Sequence, residues 1–233
     1  MKIGITERGD AGLDFDWLLA LKFKTMEGII AITKDPSKLV ELDLPKNVII
    51  HCTITGLGLR WEPNVPDKSQ SLKAYKELVN QYGGSRVVLR IDPIVPYTPH
   101  LQEAEDILSH RLGRVRISFI DMYPHVRERY FNRMGTEFRR WKGVHAPFTE
   151  RNDVLRMMEE TGPIEVCGEP DFPCTGCVSK VDLVAMGLEE PMSAKRYPEK
   201  GQRSYCPCLV VKTELLTNRH PCAHECIYCY WKD

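Results

Sequence analysis

Three cysteines, Cys222, Cys226 and Cys229, form a C-x3-C-x2-C pattern on one short stretch of the chain. Three thiolates can hold three irons of a [4Fe–4S] cluster, because cysteine thiolates are the usual protein ligands of such clusters. The fourth iron then lacks a protein ligand and stays open to a small molecule that binds through an amine and a carboxylate. The spacing therefore predicts an iron–sulfur centre with one open coordination position.

The same three cysteines permit a second interpretation, a zinc knuckle. Structural zinc takes four Cys or His ligands in a tetrahedron, and His220 or His224 can supply the fourth ligand here. Zinc sites usually combine C-x2-C units rather than a triplet, so the spacing favours iron–sulfur and leaves zinc as the alternative.

A second group of cysteines lies upstream of the triplet and contains Cys167, Cys174, Cys177, Cys206 and Cys208. Its C-x2-C and C-x-C spacings suit one metal ion or neighbouring irons. Four of the five cysteines would complete an auxiliary [4Fe–4S] cluster without an open iron, or a structural zinc site. Cysteines that cluster in a reducing compartment indicate metal ligation rather than disulfides.

Length and composition predict a cytoplasmic chain built as one integrated domain. Its 233 residues suffice for one large domain, and the formal net charge of zero provides no global field towards nucleic acid or membranes. We find no run of 18 apolar residues and no signal peptide, and therefore expect no membrane association. Within the domain we expect barrel units over 1–166, a Cys-rich metal segment over 167–208, and a final strand with the cluster loop over 209–233.

Apolar runs alternate with helical spacing along the chain, which is typical of an α/β fold with parallel strands. We predict a partial or complete TIM-like (β/α) barrel of about seven strands. The strands are expected at 2–6, 28–33, 48–55, 86–91, 115–120, 163–167 and 209–216. Helices are expected at 14–26, 69–82, 101–111, 126–141 and 149–161, and the region 168–207 is expected to be irregular.

Polar residues follow several of these strands, where barrel enzymes place their chemistry. Lys34 and Asp121 are candidates for substrate contact, and Tyr123 and Cys52 are candidates for donating a hydrogen atom to a product radical. The alternative for each polar strand end is a solvated loop or a helix cap. For Cys52 the alternative is packing as a small apolar residue.

The triplet, with Tyr228 directly before its last cysteine, resembles the cluster loop of the radical S-adenosylmethionine (SAM) superfamily. The resemblance implies a [4Fe–4S] cluster that reduces SAM, a 5′-deoxyadenosyl radical that abstracts hydrogen, and an electron donor of the flavodoxin or ferredoxin type. It also implies SAM contacts, which we expect from Arg90 with the carboxylate, Asp92 with ribose hydroxyls, and the backbone at Tyr228 with the adenine. In most of that superfamily the loop follows the first barrel strand. We therefore expect a circularly rearranged barrel in which strand 209–216 lies beside strand 2–6.

Nearly the whole chain resembles the DUF1848 family. The segments that carry the likeness are T-K-D-P at 33–36, T-G at 55–56 with E-P-N-V-P at 62–66, R-I-D-P-I at 90–94, I-S-F-I-D at 117–121, Q-R at 202–203 before C-P-C at 206–208, and the triplet with its tyrosines. The family pattern implies Cys167, Cys177, Cys206 and Cys208 as the second ligand set, with Cys174 as an extra cysteine. The segment 210–214 departs from the pattern.

The stretch 127–142 bears on the substrate, because it mixes six cations with four aromatic residues. Such a mixture suits a nucleic-acid backbone with unstacked bases, and Trp61 beside Arg60 suits base stacking. The alternative is an amphipathic helix with core aromatics and solvated arginines. We predict a radical SAM enzyme acting on a nucleobase in DNA or RNA, with a small metabolite or peptide equally open. The alternative function is a non-catalytic zinc or iron–sulfur module that docks on nucleic acid.

Overall fold

A seven-stranded parallel sheet forms the framework of the protein. A computed structural model describes residues 1–189, 207–208, 212–216 and 222–231. The strands are β1 (Ile3–Ile5), β2 (Gly28–Thr33), β3 (Val48–Thr53), β4 (Val87–Ile94), β5 (Val115–Phe119), β6 (Glu165–Val166) and β7 (Lys212–Glu214). Their order across the sheet is β6-β5-β4-β3-β2-β1-β7. The predicted α/β fold is therefore confirmed.

Helices follow most of the strands, as parallel connections require. They are α1 (Trp17–Lys22), α2 (Lys68–Tyr82), α3 (His100–Ser109), α4 (Pro124–Met134), α5 (Phe148–Glu159) and α6 (Lys180–Ala185), with a 3₁₀ turn at Pro36–Leu39. None of the helices in the described ranges combines the length and apolar character that a membrane crossing demands.

The sheet is a curled half-barrel in which the last strand lies beside the first. β7 pairs in parallel with β1, and Ile3 lies opposite Lys212. This neighbourhood was predicted from the sequence and is confirmed. In the part of the chain that the structure describes, β6 and β7 do not pair, so the strands there do not close into a barrel.

The two faces of the sheet have different roles, as β3 illustrates. Ile50 and Cys52 belong to the large apolar core that contains residues of α2, α3 and α5. Ile49, His51 and Thr53 alternate with them and therefore point to the other, inner face. The apolar part of this inner face packs against the segment around α6, through Cys167, Cys177, Val178, Leu183, Met186 and Cys208. The segment thus covers the beginnings of β3 and β4 and leaves their carboxyl ends uncovered.

The helix expected over 14–26 covers only Trp17–Lys22, and two further predictions differ from the observed elements. The helix expected over 126–141 ends at Met134, because Gly135 adopts φ 70° and its N–H bonds to the carbonyl of Phe131. The region expected to be irregular contains α6, which begins with a capping box between Ser179 and Asp182. This box was visible in the sequence as S-x-x-D.

A buried charge network joins the inner face of β5 to α6. The Arg114 guanidinium lies 2.7 Å from carboxylate oxygens of both Glu165 and Asp182. Arg116 lies 3.1 Å from Asp182 and also contacts Glu165 and the ring of His51. Each carboxylate pairs with two guanidinium groups. These ion pairs connect β5, β6 and α6 on the inner face of the sheet.

His51 makes the stability of the protein depend on pH. The ring is 1% exposed, and burial and the neighbouring Arg116 hold its pKa well below its ordinary value of 6.5. The unfolded chain therefore binds a proton near pH 6.5 that the folded chain does not bind, so stability falls as the pH drops below 6.5. We expect a loss of up to about 1.4 kcal/mol per pH unit from this group. Urea unfolding of wild type and His51→Phe at pH 5 and 7 measures it, and an equal pH slope in both would contradict the assignment.

Candidate metal centre and adjoining cavity

A cavity of about 690 Å³ lies at the carboxyl ends of β1 to β4, beneath the segment 222–231. Its volume falls in the range of small-molecule sites in proteins. Seven residues predicted for cofactor or metal binding or for catalysis line it, namely Cys222, Cys226, Cys229, Lys34, Arg90, Asp92 and Tyr228. The structure therefore brings together the cysteine triplet and most of the predicted SAM contacts.

The triplet loop is fixed by contacts with distant parts of the chain. His224 Nε2 donates to Asp10 Oδ2 at 3.0 Å, and its Nδ1 faces the carbonyl of Asn64 at 3.1 Å. The Ile227 N–H donates to the carbonyl of Trp61 at 3.0 Å, and Arg129 donates to the carbonyl of Cys229 at 2.8 Å. These contacts hold the loop at His224, Ile227 and Cys229 and thereby position the backbone between the cysteines.

His224 is an internal brace of the loop. Both ring nitrogens face oxygen acceptors, so the ring donates from both sides. Burial alone would lower the pKa of His224, but the Asp10 carboxylate raises it above its ordinary value. A ring that donates from both nitrogens has no lone pair for a metal. This arrangement disfavours the zinc knuckle completed by His224, and His220 lies outside the described residues.

Asp10 anchors the first two strand ends to each other. Its Oδ1 accepts from the Thr33 hydroxyl at 2.6 Å and from the Gly12 N–H at 2.8 Å. Its Oδ2 accepts from the Lys34 N–H at 2.6 Å in addition to His224. Sequence reasoning missed Asp10, although it follows β1 just as the predicted site residues follow other strands.

A buried ion pair lies beside Cys226. Lys34 Nζ is 2.9 Å from Glu62 Oε1 and 5.1 Å from the ring centre of Tyr228, whose hydroxyl also donates to Glu62. Burial alone would raise the pKa of Glu62, but Lys34 and the hydroxyl donors hold it below its ordinary value. Burial alone would lower the pKa of Lys34, but Glu62 raises it. A charged ammonium is thus retained next to the triplet.

The protonation chemistry of the triplet cysteines suits metal binding. Burial raises the pKa of Cys226 to about 12, although Lys34 opposes this shift. A thiol of that pKa becomes a thiolate at neutral pH only when a metal displaces its proton. No three His, Cys, Asp or Glu side chains of the described segments already converge on one point, as the ligands of a single bare ion would. The thiolates of a [4Fe–4S] cluster each bind a different iron and need no common point.

Arg90 and Asp92 were predicted as separate SAM contacts, but they form an ion pair with each other. The Asp92 carboxylate also accepts from the Ser118 hydroxyl. Both residues line the cavity, with side chains 15% and 9% exposed. Their charges therefore largely cancel at its floor.

Three cysteines of the second group meet on the inner face of the sheet. Cys167 Sγ lies 3.7 Å from Cys177 Sγ, and Cys208 contributes a hydrogen bond to Cys177. These bonds, with Lys212 and Arg90 nearby, hold the pKa of Cys177 below its ordinary value. Cys174 lies elsewhere, where its thiol donates to the carbonyl of Glu169 at 3.0 Å. Cys206 is outside the described residues.

Three of the predicted catalytic residues do not line the cavity. Cys52 is fully buried among apolar side chains on the helix-facing side of the sheet, and burial raises its pKa far above the ordinary value. Asp121 bonds to His145 Nδ1 at 2.6 Å. Tyr123 stacks on His125 and meets the edge of Tyr230, which itself lines the cavity. Only Lys34 of the four is in the cavity wall.

The stretch predicted to bind nucleic acid is largely structural. The aromatic rings of Tyr130, Phe138 and Trp141 pack with Trp61 in one apolar cluster. Arg127 donates to backbone carbonyls, including that of Gly143 at 2.7 Å. Three of the four aromatics thus follow the alternative interpretation of the stretch as core, whereas Phe131 is 51% exposed. The prediction of a nucleic-acid partner is not tested by these contacts and stays a prediction.

Comparison with known proteins places the chain in a family without adding an activity. No curated protein and no solved structure matches it. One family model, described as a domain of unknown function (DUF1848), matches residues 18–231. Because this match spans most of the 233 residues, the chain belongs to the DUF1848 family.

Proposed function

We propose that the protein is a radical SAM enzyme whose cluster is held by Cys222, Cys226 and Cys229. The observation that carries the proposal is the cysteine triplet itself, fixed by Asp10, Asn64 and Trp61 over a cavity at the carboxyl ends of parallel strands. A braced loop with three thiols and no fourth cysteine suits a cluster with one open iron. When bound, such a cluster supplies the electron that splits the sulfonium of SAM into methionine and a 5′-deoxyadenosyl radical, which abstracts hydrogen from a substrate.

The surrounding residues have defined tasks in this proposal. His224 and Asp10 fix the loop, and the Lys34 ammonium offsets the negative charge of the thiolates near Cys226. Arg90, Asp92 and Tyr228 line the space that SAM would occupy. A volume of about 690 Å³ leaves room for a small substrate or a single extruded base beside SAM.

We also propose that Cys167, Cys177 and Cys208, with Cys206, hold a second metal centre. The 3.7 Å separation of Cys167 and Cys177 is close to the spacing of about 3.8 Å between two thiolates on one tetrahedral zinc with bonds of about 2.3 Å. Among the described residues no three ligands converge on a single ion, so the pair spacing alone does not separate zinc from the second [4Fe–4S] cluster predicted from the sequence. Arg90 lines the cavity and also lies near Cys177. In either form the second centre therefore lies under the cavity floor.

The arrangement of strands supports a TIM-like origin of the fold. β7 lies beside β1 and precedes the triplet loop in the sequence. A strand followed by the cluster loop is the opening unit of a superfamily barrel, here found at the end of the chain. A circularly rearranged barrel that kept only part of its strands would form a half-barrel of this kind.

Anaerobic reconstitution tests the proposal. Iron, sulfide and zinc are counted per chain, and SAM is then added with dithionite in place of a flavodoxin- or ferredoxin-type donor. We expect 5′-deoxyadenosine with about four irons and one zinc, or with about eight irons if both centres are clusters. Zinc alone without SAM cleavage would overturn the enzyme proposal in favour of a non-catalytic metal module.

A further inference from the structure

The mouth of the cavity consists of those lining residues that are exposed to solvent. In the described part of the chain they are Arg8, Asn132, Arg133, Glu225 and Trp231. In the proposed function SAM occupies the space beside the more buried Arg90, Asp92 and Tyr228. The mouth is therefore left for the second molecule, and its side chains bear on the chemistry of that molecule.

Most charges deeper in the cavity have partners within the protein. Three of the four carboxylates in the described lining contact a basic side chain, in the pairs Glu7–Lys212, Asp10–His224 and Asp92–Arg90. Lys34 in turn contacts Glu62. The fourth lining carboxylate, Glu225, is at the mouth. The charges that a ligand can approach from solvent are thus those of the mouth.

Two arginines bring positive charge to the mouth from different parts of the chain. The Arg8 guanidinium lies 4.7 Å from the ring centre of Trp231, and Arg133 on α4 donates to the carbonyl of Leu59 at 3.1 Å. Neither of these contacts supplies a negative charge. Each guanidinium carries five N–H donors, so both side chains retain donors for a ligand.

Helix α4 adds further donors to the same wall. Arg129 precedes Arg133 by one helical turn, and both line the cavity together with Asn132, whose amide carries two donors. Arg129 also donates to the carbonyls of Cys229 and Trp231, at 2.8 and 3.0 Å, so that α4 is held against the triplet loop. The wall combines positive charge with N–H donors, which is the chemistry that recognises a phosphate group.

Trp231 provides a flat aromatic surface beside these donors. Its ring lines the cavity and is 42% exposed, and its indole N–H donates to the carbonyl of Glu7 at 3.1 Å. Nucleobases stack on aromatic side chains of this kind, since every base has a π-face.

We propose that the mouth binds a nucleotide, with its phosphate at Arg8 and Arg133 and its base against Trp231. SAM carries no phosphate, so the nucleotide is the second molecule of the cavity. The inference rests on the proposed function only for the role of that nucleotide as substrate, because binding at the mouth needs no cluster chemistry.

Thymidine 5′-monophosphate and thymidine test the site, because they differ only in the phosphate. A pyrimidine is used because SAM itself carries adenine. Binding is measured by ligand-observed NMR on the reconstituted protein, with saturating SAM and without reductant. We expect the monophosphate to bind at least about tenfold more tightly than thymidine. Arg8→Gln and Arg133→Gln should each weaken the monophosphate about tenfold and change thymidine affinity by less than about twofold.

Trp231→Leu tests the surface for the base. It should weaken thymidine and its monophosphate by similar factors of about tenfold, because both ligands carry the same base.

Arg139→Gln is the matched control for the arginine variants. Arg139 is 80% exposed, pairs with Glu137 and is absent from the described lining of the cavity, so this variant should keep the affinity for both ligands. Thermal unfolding monitors the fold of every variant. Since Arg8 and Arg133 belong to different parts of the fold, distortion of one element would not produce the same selective loss in both.

A short oligothymidylate separates the two sources of the nucleotide. Tighter binding per nucleotide than the monophosphate would support a nucleic-acid strand as the ligand, and weaker binding would support a free nucleotide. Both results retain the phosphate contact.

Equal affinity for thymidine and its monophosphate would overturn the inference, as would a monophosphate affinity that neither arginine variant lowers. A loss of SAM affinity equal to the loss of monophosphate affinity would assign the mouth to SAM instead. If SAM is never cleaved but the phosphate dependence holds, the radical proposal fails and the nucleotide site stands. If SAM is cleaved but the phosphate has no effect on binding, only the nucleotide site fails.

Discussion

Replacing Cys226 by alanine is expected to abolish SAM cleavage and to remove about four irons per chain, since the cluster would keep only two protein ligands. The sheet should remain folded, because Cys226 lies in a small apolar cluster outside the main core. The loop also keeps its braces through His224 and Ile227. Iron analysis, the cluster absorbance and the 5′-deoxyadenosine yield measure the effect, and circular dichroism monitors the fold.

Cys174→Ser is the matched control for this experiment. The Cys174 thiol bonds to the backbone of Glu169 and packs against the helix-facing core, whereas Cys167, Cys177 and Cys208 belong to the inner-face cluster. A serine hydroxyl can make the same bonds, so the variant should retain iron, zinc and SAM cleavage. Full SAM cleavage by Cys226→Ala would sink the assignment of the cluster to the triplet.

Local patterns predicted much of the fold and the metal sites. The runs 28–32 and 48–50 contain no polar residue and therefore indicate strands buried in a parallel sheet. The spacing alone was enough to recognise the triplet as a candidate metal site, because its three cysteines are close together in the sequence. The pairing of β7 with β1 followed from the order of elements.

Long-range partners escaped prediction. Asp10 meets His224 across 214 residues, and Glu62 meets Tyr228 across 166. Nothing in the local sequence specifies such pairs, since each depends on which strand ends become neighbours. Side-chain direction was also undetermined: a shift of one residue along β3 moves a side chain from the cavity to the core. Cys52 and Thr53 illustrate this, because the predicted residue faces the core and its neighbour faces the cavity.

Glu62→Leu is expected to lower the free energy of unfolding by about 3–5 kcal/mol, the usual result of leaving a buried charge without its partner. The Lys34 side chain is only 16% exposed, and Glu62 is the acceptor for its ammonium group at 2.9 Å. The Tyr228 hydroxyl would lose the same acceptor. Urea unfolding at pH 7 measures the change. The Lys73–Glu77 pair on the surface of α2 is the control, because exposed pairs contribute at most about 1 kcal/mol.

The double variant Lys34→Met with Glu62→Leu separates the loss of a partner from the loss of packing. Removing both charges leaves neither ion of this pair buried without its partner, so much of the stability lost in Glu62→Leu should return. A loss of stability in Glu62→Leu no larger than that in the surface control Glu77→Leu would contradict the burial of the pair. If the double variant regains stability but binds iron less tightly, then the Lys34 ammonium serves the thiolates of the triplet rather than the fold. The fold no longer needs the cation in that variant, whereas the thiolates still lack it.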